Sequence, residues 1–133
     1  MERCMQTVPA TVLVADHNAH DRKCLCDHLE QEGFLAREVG DGRRLLASLA
    51  YEIPHLLVLD LELPPIDGME LCRRIRRYGD VPIVVFTALE HEEVKLRTLD
   101  LYAEDYIIKP ASYAEVVARV RRILRRTWLS CLP

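Results

Sequence analysis

Four polar side chains stand at the ends of apolar runs in this chain, and together they have the chemistry of a phosphoryl site. Asp16 and Asp60 each come after a continuous apolar run, and Thr87 and Lys109 stand at the ends of two later runs. Two carboxylates, a hydroxyl and an ammonium around one point suit an anionic group that is bonded to a carboxylate and held by a cation and a hydrogen-bond donor. A phosphoryl group is the natural candidate, so we predict that these four residues converge.

Five apolar runs alternate with five amphipathic segments, a pattern that predicts an α/β fold. Continuous apolar runs are typical of strands that are buried on both faces of a parallel sheet. The predicted strands are residues 11–15, 35–39, 55–59, 82–86 and 106–108. With right-handed crossovers and helices on both faces, the doubly wound, flavodoxin-like strand order 2-1-3-4-5 is favoured. This order makes the first and third strands neighbours, which brings Asp16 and Asp60 together.

The amphipathic segments carry helix signals at their ends. Asn18 is the predicted cap of a first helix, which has Cys24 on its inner face and is stopped by Gly33. The fourth helix is predicted over residues 90–101. Ser112 begins the fifth helix, and Glu115 three residues later completes a capping box.

Length and composition restrict the class of protein. A chain of 133 residues, half of them hydrophobic, predicts one ordered domain. A net charge of -3 argues against a broad nucleic-acid-binding face. The arginines near the end of the chain are interpreted as one solvated face of a helix rather than a phosphate-binding site; they are Arg119, Arg121, Arg122, Arg125 and Arg126.

Compartment and membrane contact are predicted from three further features. The longest apolar stretch, residues 81–89, is too short for a membrane span, and no amino-terminal targeting pattern is visible. The 5 cysteines are an odd number without the paired spacing of a zinc site, which favours free thiols in a reducing compartment. We therefore expect a cytoplasmic protein that does not contact a membrane.

The order and spacing of several motifs resemble the receiver domain of two-component response regulators. These motifs are Asp60 with Pro64 and Asp67-Gly68, then Thr87-Ala88, then Asp105-Tyr106-Ile107-Ile108-Lys109-Pro110. The similarity spans about residues 10–126. We expect a receiver domain at residues 11–126, an amino-terminal extension at residues 1–10, and a tail or the start of a linker at residues 127–133.

The resemblance implies a role for each residue of the site. Asp60 would accept a phosphoryl group from a sensor histidine kinase, and Thr87 and Lys109 would each bind a phosphoryl oxygen. Tyr106 matches the switch aromatic that turns inward when the threonine moves toward the phosphoryl group, although it could also be an ordinary half-buried strand residue. The domain would be a signalling module rather than an enzyme.

The predicted metal site departs from the family at His17. The resemblance implies a Mg²⁺ site formed by Asp16, Asp60 and the backbone carbonyl of Glu62, but His17 stands where the family has a second acid. Imidazole is a poor ligand for Mg²⁺, which prefers oxygen. Asp16 could take over as ligand, His17 could help to recruit Mn²⁺ or another softer divalent metal, or protonated imidazole could supply positive charge. The substitution could also simply weaken the site.

The carboxy-terminal half is similar to receivers that precede a winged-helix DNA-binding domain. In that subgroup active homodimers form through the fourth helix, the fifth strand and the fifth helix. The resemblance implies three ion pairs across the two-fold axis, which are Lys95 with Glu115, Asp105 with Arg119, and Glu104 with Arg122. It also implies an apolar patch formed by Leu96, Leu99 and Val117. DNA would be contacted only through an output domain that does not follow Arg126 in this sequence. The alternative is a receiver-like interaction module that works without phosphate.

Overall fold

The computed structural model describes residues 9–127, which form a parallel sheet of five strands. The strands are β1 (Thr11–Ala15), β2 (Leu35–Val39), β3 (Leu56–Leu59), β4 (Ile83–Thr87) and β5 (Asp105–Ile108). Their order is β2-β1-β3-β4-β5, which confirms the predicted doubly wound topology. Each strand begins within one residue of its predicted start.

Five helices cover the two faces of the sheet. They are α1 (Ala19–Gln31), α2 (Gly42–Tyr51), α3 (Gly68–Ile75), α4 (Glu92–Leu101) and α5 (Tyr113–Thr127), and a short 3-10 turn (Arg76–Tyr78) follows α3. Thr127, the first residue of the predicted tail, is the last residue of α5. Residues 1–8 and 128–133 lie outside the described part of the chain, as do most of the predicted extension and tail.

Each face of the sheet has its own apolar core because successive strand residues point to opposite sides. On one face, Val12 and Val14 of β1 pack with Leu25 and Leu29 of α1 and with the apolar stripe of α5. On the other face, β-strand side chains pack with α2 and α3. These two cores hold all five strand ends at one edge of the sheet.

Two residues lie in different environments from those predicted. Cys26 of α1 is buried, whereas the predicted inward residue Cys24 is only partly buried. Val117, expected on the surface patch of the dimer face, is 3% exposed and belongs to the core. Cys24 and Cys26 are two positions apart, which is about 200° around a helix, so only one of them can face the core beside Leu25 and Leu29. Val117 belongs with Val116 and Val120 to the apolar stripe of α5, as the pattern of apolar residues in that helix also indicates.

Local signals at the helix ends appear as predicted. The Asn18 side chain accepts from the amide of Asp21, which caps α1, and Gly33 after this helix has φ 95°. The Ser112 hydroxyl accepts from the amide of Glu115 at 3.1 Å, which is one half of the predicted capping box, while the Glu115 carboxylate accepts from Arg119. Within residues 9–127, none of the helices is both long and apolar enough to cross a bilayer.

Candidate functional site

The four predicted side chains meet at the carboxyl edge of the sheet. Lys109 Nζ lies 2.8 Å from Asp16 Oδ2 and 3.0 Å from Asp60 Oδ2. Thr87 Oγ1 donates a hydrogen bond to Asp60 Oδ1 at 2.6 Å. Asp16, Asp60 and Thr87 are buried, and only Lys109 is partly exposed. Residues that are up to 93 positions apart therefore form one polar cluster.

Parallel pairing of the strands brings these residues together. Ala15 of β1 pairs with Leu59 of β3, so the next residue of each strand, Asp16 and Asp60, leaves the sheet at the same level. The amide of Asp60 donates to the Ala15 carbonyl at 2.9 Å, and the amide of Lys109 donates to the Thr87 carbonyl at 2.8 Å. The sheet register thus sets the distance between the two carboxylates and the ammonium.

The two oxygens of the Asp60 carboxylate have different partners. Oδ1 accepts from the Glu62 amide at 2.9 Å and from Thr87 Oγ1, which orients the carboxylate. Within residues 9–127, the only group that forms a hydrogen bond with Oδ2 is Lys109 Nζ. Because a carboxylate oxygen accepts at about two positions, Oδ2 keeps capacity to bond a further group.

The Asp16 region is fixed by its own hydrogen bonds. Asp16 Oδ1 accepts from the Asn18 amide at 2.8 Å, and the Asp16 carbonyl accepts from Arg22 Nη1 at 2.9 Å. The same guanidinium pairs with Glu38 through Nε at 2.7 Å. Arg22 therefore connects the end of β1 to α1 and β2, a contact that the sequence analysis did not predict.

The charge state of Lys109 follows from its surroundings. Burial alone would lower the pKa of this ammonium, but hydrogen bonds and charges from Asp16 and Asp60 raise the pKa above its ordinary value. Lys109 is thus a permanent cation beside the two carboxylates at any physiological pH.

A third carboxylate, which sequence reasoning missed, also reaches this cluster. Asp21 in the first turn of α1 places Oδ2 at 3.4 Å from Lys109 Nζ. Its other oxygen accepts from the hydroxyl of Tyr113 in α5 at 3.4 Å. The available signal was the position of Asp21 just after the β1 end, on the first turn of the helix that packs beside α5.

Comparison of the sequence with protein families identifies the family. The sequence model of the family described as response regulator receiver domain matches residues 12–121. The chain belongs to the response regulator receiver family. The match covers all of the sheet except Thr11 and most of α5, and it includes every residue of the polar cluster.

Curated relatives of this receiver are transcriptional regulators. The probable transcriptional regulator ycf27 of Guillardia theta is 39% identical over 116 residues, which are 87% of this chain and 46% of that protein. The transcriptional regulatory protein BaeR of Escherichia coli is 41% identical over 115 residues, which are 86% of this chain and 48% of that protein. The chain thus spans about half the length of the curated relatives it matches.

Solved receiver domains have the same fold. The receiver domain of the Francisella response regulator 1452 is 28% identical, with a TM-score of 0.83 over 89% of this chain and 98% of that one. The BeF3-activated N-terminal receiver domain of Klebsiella pneumoniae RstA is 30% identical, with a TM-score of 0.79 over 86% of this chain and 98% of that one. Both likenesses extend over nearly the whole solved domain.

In this receiver Tyr106 is linked to Asp60 through one loop. Its hydroxyl donates to the Leu89 carbonyl at 2.7 Å, and the Leu89 amide donates to Thr87 Oγ1 at 3.3 Å. The ring is buried, and burial followed by the charges of Asp60 and Glu62 raises the pKa of the phenol. Tyr106, Leu89, Thr87 and Asp60 therefore form a continuous hydrogen-bonded chain.

His17, the residue after Asp16, has an exposed side chain. It lines an open cavity of about 650 Å³ together with Asp41, Arg43 and Arg44. In the described part of the chain, no group of three or more His, Cys, Asp and Glu side chains is placed to hold a metal ion.

Most residues of the predicted dimer face are on the surface, but three of its acids already have partners within the chain. Arg119 pairs with Asp105 at 2.5 Å and with Glu115 at 3.2 Å. Glu104 pairs with Arg126 at 2.9 Å, whereas the predicted partner Arg122 is exposed. The remaining apolar surface at this face comes from Leu96, which is 55% exposed, and from Leu99, which is partly buried. The side chain of Lys95, one residue before Leu96, is also partly buried.

Proposed function

We propose that this receiver accepts a phosphoryl group on Asp60 from a sensor histidine kinase and transmits the change to a DNA-binding output domain. The observation that carries the proposal is the geometry around Asp60, whose Oδ1 is oriented by Thr87 and whose Oδ2 faces Lys109. The described cysteines Cys24, Cys26 and Cys72 are free thiols, which fits the reducing cytoplasm where we place the protein.

In the proposed transfer, Asp60 Oδ2 attacks the phosphorus of a phosphohistidine. A phosphorus–oxygen bond forms and the phosphorus–nitrogen bond breaks. The electron pair of the broken bond stays on the imidazole nitrogen, which takes up a proton as the histidine leaves. Lys109 and Thr87 would then pair with two phosphoryl oxygens, because both already contact the carboxylate that carries the new group. The domain would act as a phosphoacceptor and signalling module.

The donor atoms available at the site fit a Mg²⁺ ion. The carboxylates of Asp16 and Asp60 and the carbonyl of Glu62 are oxygen donors, as this hard cation requires, and His17 adds no oxygen. When bound there, Mg²⁺ would neutralise negative charge on the phosphoryl oxygens during transfer. Since one acid is missing, we expect this receiver to bind Mg²⁺ weakly.

The hydrogen-bonded chain from Asp60 to Tyr106 is the proposed switch. A phosphoryl group on Asp60 would draw Thr87 Oγ1 to itself, which changes the partner of the Leu89 amide. The Leu89 carbonyl holds the Tyr106 hydroxyl, so the β4–α4 loop and the aromatic ring would move as one unit. The ring belongs to β5, at the face proposed for dimerisation.

The proposed readout is a homodimer through α4, β5 and α5. An isologous interface needs each ion pair twice, and Lys95, Glu104 and Arg122 present charges for it on the surface. Leu96 would supply apolar contact. Dimerisation would bring two output domains onto neighbouring DNA half-sites.

A second candidate, a receiver that signals without phosphate, is favoured by one specific observation. His17 stands where the resemblance implies a second acid, so the site lacks one oxygen ligand for the Mg²⁺ that would assist phosphoryl transfer. A receiver with a weakened metal site can still present its surfaces to a partner, and such a module would signal without phosphate.

Labelling with acetyl phosphate separates the two candidate functions. The protein is incubated with acetyl phosphate and Mg²⁺ or Mn²⁺, and intact mass is followed with time. Phosphoacceptor function predicts one added phosphoryl group, which is absent in Asp60→Asn and retained in the control Asp67→Asn. The control removes a nearby exposed carboxylate and keeps a side chain able to cap α3. No labelling with either metal would favour the phosphate-independent candidate.

A further inference from the structure

We infer that Asp21 competes with the phosphoryl group for Lys109 and so lowers the affinity of this receiver for a phosphoryl group. The inference rests on the proposed function and names a residue that regulates the same site. Asp21 would not touch the phosphoryl group; it would act as a positioning residue through the ammonium.

The geometry around Lys109 supports this competition. The ammonium lies 2.8 Å from Asp16 Oδ2, 3.0 Å from Asp60 Oδ2 and 3.4 Å from Asp21 Oδ2. One cation therefore serves three carboxylates. The guanidinium of Arg22 is engaged with Glu38 and with the backbone carbonyl of Asp16.

Exposure distinguishes Asp21 from the other two acids. The side chain of Asp21 is 31% exposed, against 6% for Asp16 and 8% for Asp60. Asp21 keeps part of its hydration, so its carboxylate can hold Lys109 at the mouth of the site without the full cost of burial. A phosphoryl group on Asp60 must therefore compete with the Asp21 carboxylate for a hydrogen bond from Lys109 Nζ.

Asp21 is also held in place from two sides. Its amide donates to Asn18 Oδ1 at 2.9 Å, which fixes it in the first turn of α1. The hydroxyl of Tyr113 in α5 donates to Asp21 Oδ1 at 3.4 Å. The other oxygen, Oδ2, is thereby left facing Lys109.

Two physical effects of Asp21 would both lower the affinity of the site for a phosphoryl group. Its negative charge repels an incoming phosphoryl anion, and its hydrogen bond withholds the cation that would stabilise the acyl phosphate. Removal of the charge should therefore strengthen phosphoryl binding. A purely structural role, such as stabilising the start of α1, predicts the opposite, because damage to the fold cannot tighten a site.

The test measures beryllofluoride affinity and acetyl phosphate labelling at saturating Mg²⁺. We expect Asp21→Asn to bind beryllofluoride about threefold or more tightly than wild type and to be labelled faster. The double variant His20→Asp/Asp21→Asn keeps the net charge and an acid in the first turn, and it should bind as tightly as Asp21→Asn. Asp27→Asn removes an acid later in the same helix, where it pairs with Lys23, and should match wild type.

Each other outcome overturns the inference. Unchanged or weaker binding by Asp21→Asn, or wild-type affinity in the double variant, would show that Asp21 acts only on α1 or through net charge. Both results would leave the proposed function intact, since wild type would still be labelled. A wild-type protein that neither binds beryllofluoride nor accepts a phosphoryl group would overturn the proposed function together with the inference.

Discussion

Thr87 Oγ1 and Asp60 Oδ1 are joined by a hydrogen bond of 2.6 Å between the ends of two neighbouring strands. Both side chains are buried, and the same hydroxyl accepts from the Leu89 amide. The threonine therefore has one partner at the proposed phosphoacceptor and another in the β4–α4 loop. In the proposed switch, a change in charge on Asp60 would act on this hydroxyl and, through it, on the loop.

The Asp67-Gly68 motif leads to a prediction about stability. A Cβ atom at Gly68 would lie 2.6 Å from the Leu61 carbonyl oxygen, which is backbone and cannot move freely. We expect Gly68→Ala to lower the free energy of unfolding by about 1–3 kcal/mol. In the control Gly40→Ala the new Cβ would meet Arg22 Nη1 at 2.8 Å, the end of a flexible side chain, so the cost should be smaller. Urea unfolding would measure both, and equal costs would contradict this explanation.

The missing acid leads to a prediction about metal affinity. His17→Asp adds an oxygen ligand and a negative charge beside Asp16, so Mg²⁺ binding should tighten about tenfold or more. The control His20→Asp makes the same charge change at an exposed site in α1. Calorimetric titration with Mg²⁺ would compare the three proteins.

Two results of that titration would contradict the prediction. Equal affinities of wild type and His17→Asp would show that Asp16 and Asp60 suffice. Equal gains in both variants would show that only net charge matters. If the His17 side chain instead supplies positive charge to the site, anion binding should be lost in His17→Asp.

The chain from Thr87 to Tyr106 should behave as one unit in stability measurements. Tyr106→Phe removes the bond to the Leu89 carbonyl and should cost about 1 kcal/mol. Thr87→Val removes the bonds to Asp60 and to the Leu89 amide. Because both variants loosen the same loop, their costs in urea unfolding should not add and should differ from the sum by about 0.5 kcal/mol or more. Simple additivity would mean that the aromatic ring is not coupled to the phosphoacceptor.

The dimer face is best tested at Arg122, because Arg119 already pairs with Asp105 and Glu115 in its own chain. Arg122→Glu would place a negative charge opposite Glu104 of a second copy and should weaken self-association of the beryllofluoride-treated protein. Arg43→Glu, an exposed charge reversal in α2 on another surface, is the control. Sedimentation would measure both, and a dimer unaffected by Arg122→Glu would mean that another surface is used.

The strands could be predicted because strands buried in a parallel sheet have continuous apolar sequences. The site residues could be predicted because they follow or end these strands. Asp16 and Asp60 were expected to meet, and their distances from Lys109 agree with that expectation. Contacts that depend on side-chain direction could not be predicted in this way. His55, for example, accepts from the Thr11 amide at 2.9 Å through Nδ1, although the two residues are 44 positions apart.

The dimer face shows the same limit more clearly. Charge types indicated ion pairs, but a sequence does not distinguish a partner in the same chain from one in a second copy. Arg119 and Arg126 satisfy Asp105 and Glu104 within the chain because α5 runs beside the start of β5. Asp21 was missed for a related reason, since its approach to Lys109 depends on how α1 packs beside α5.

The central claim, that Asp60 is the phosphoacceptor, is tested most directly by trapping the acyl phosphate. Borohydride delivers hydride to the acyl carbon, releases phosphate and converts the modified aspartate into homoserine. After treatment with acetyl phosphate and Mg²⁺, peptide mass spectrometry should find homoserine at position 60 and at no other aspartate. Homoserine at Asp16 or Asp21, or at no position while a phosphoryl group is present on the intact protein, would contradict the claim.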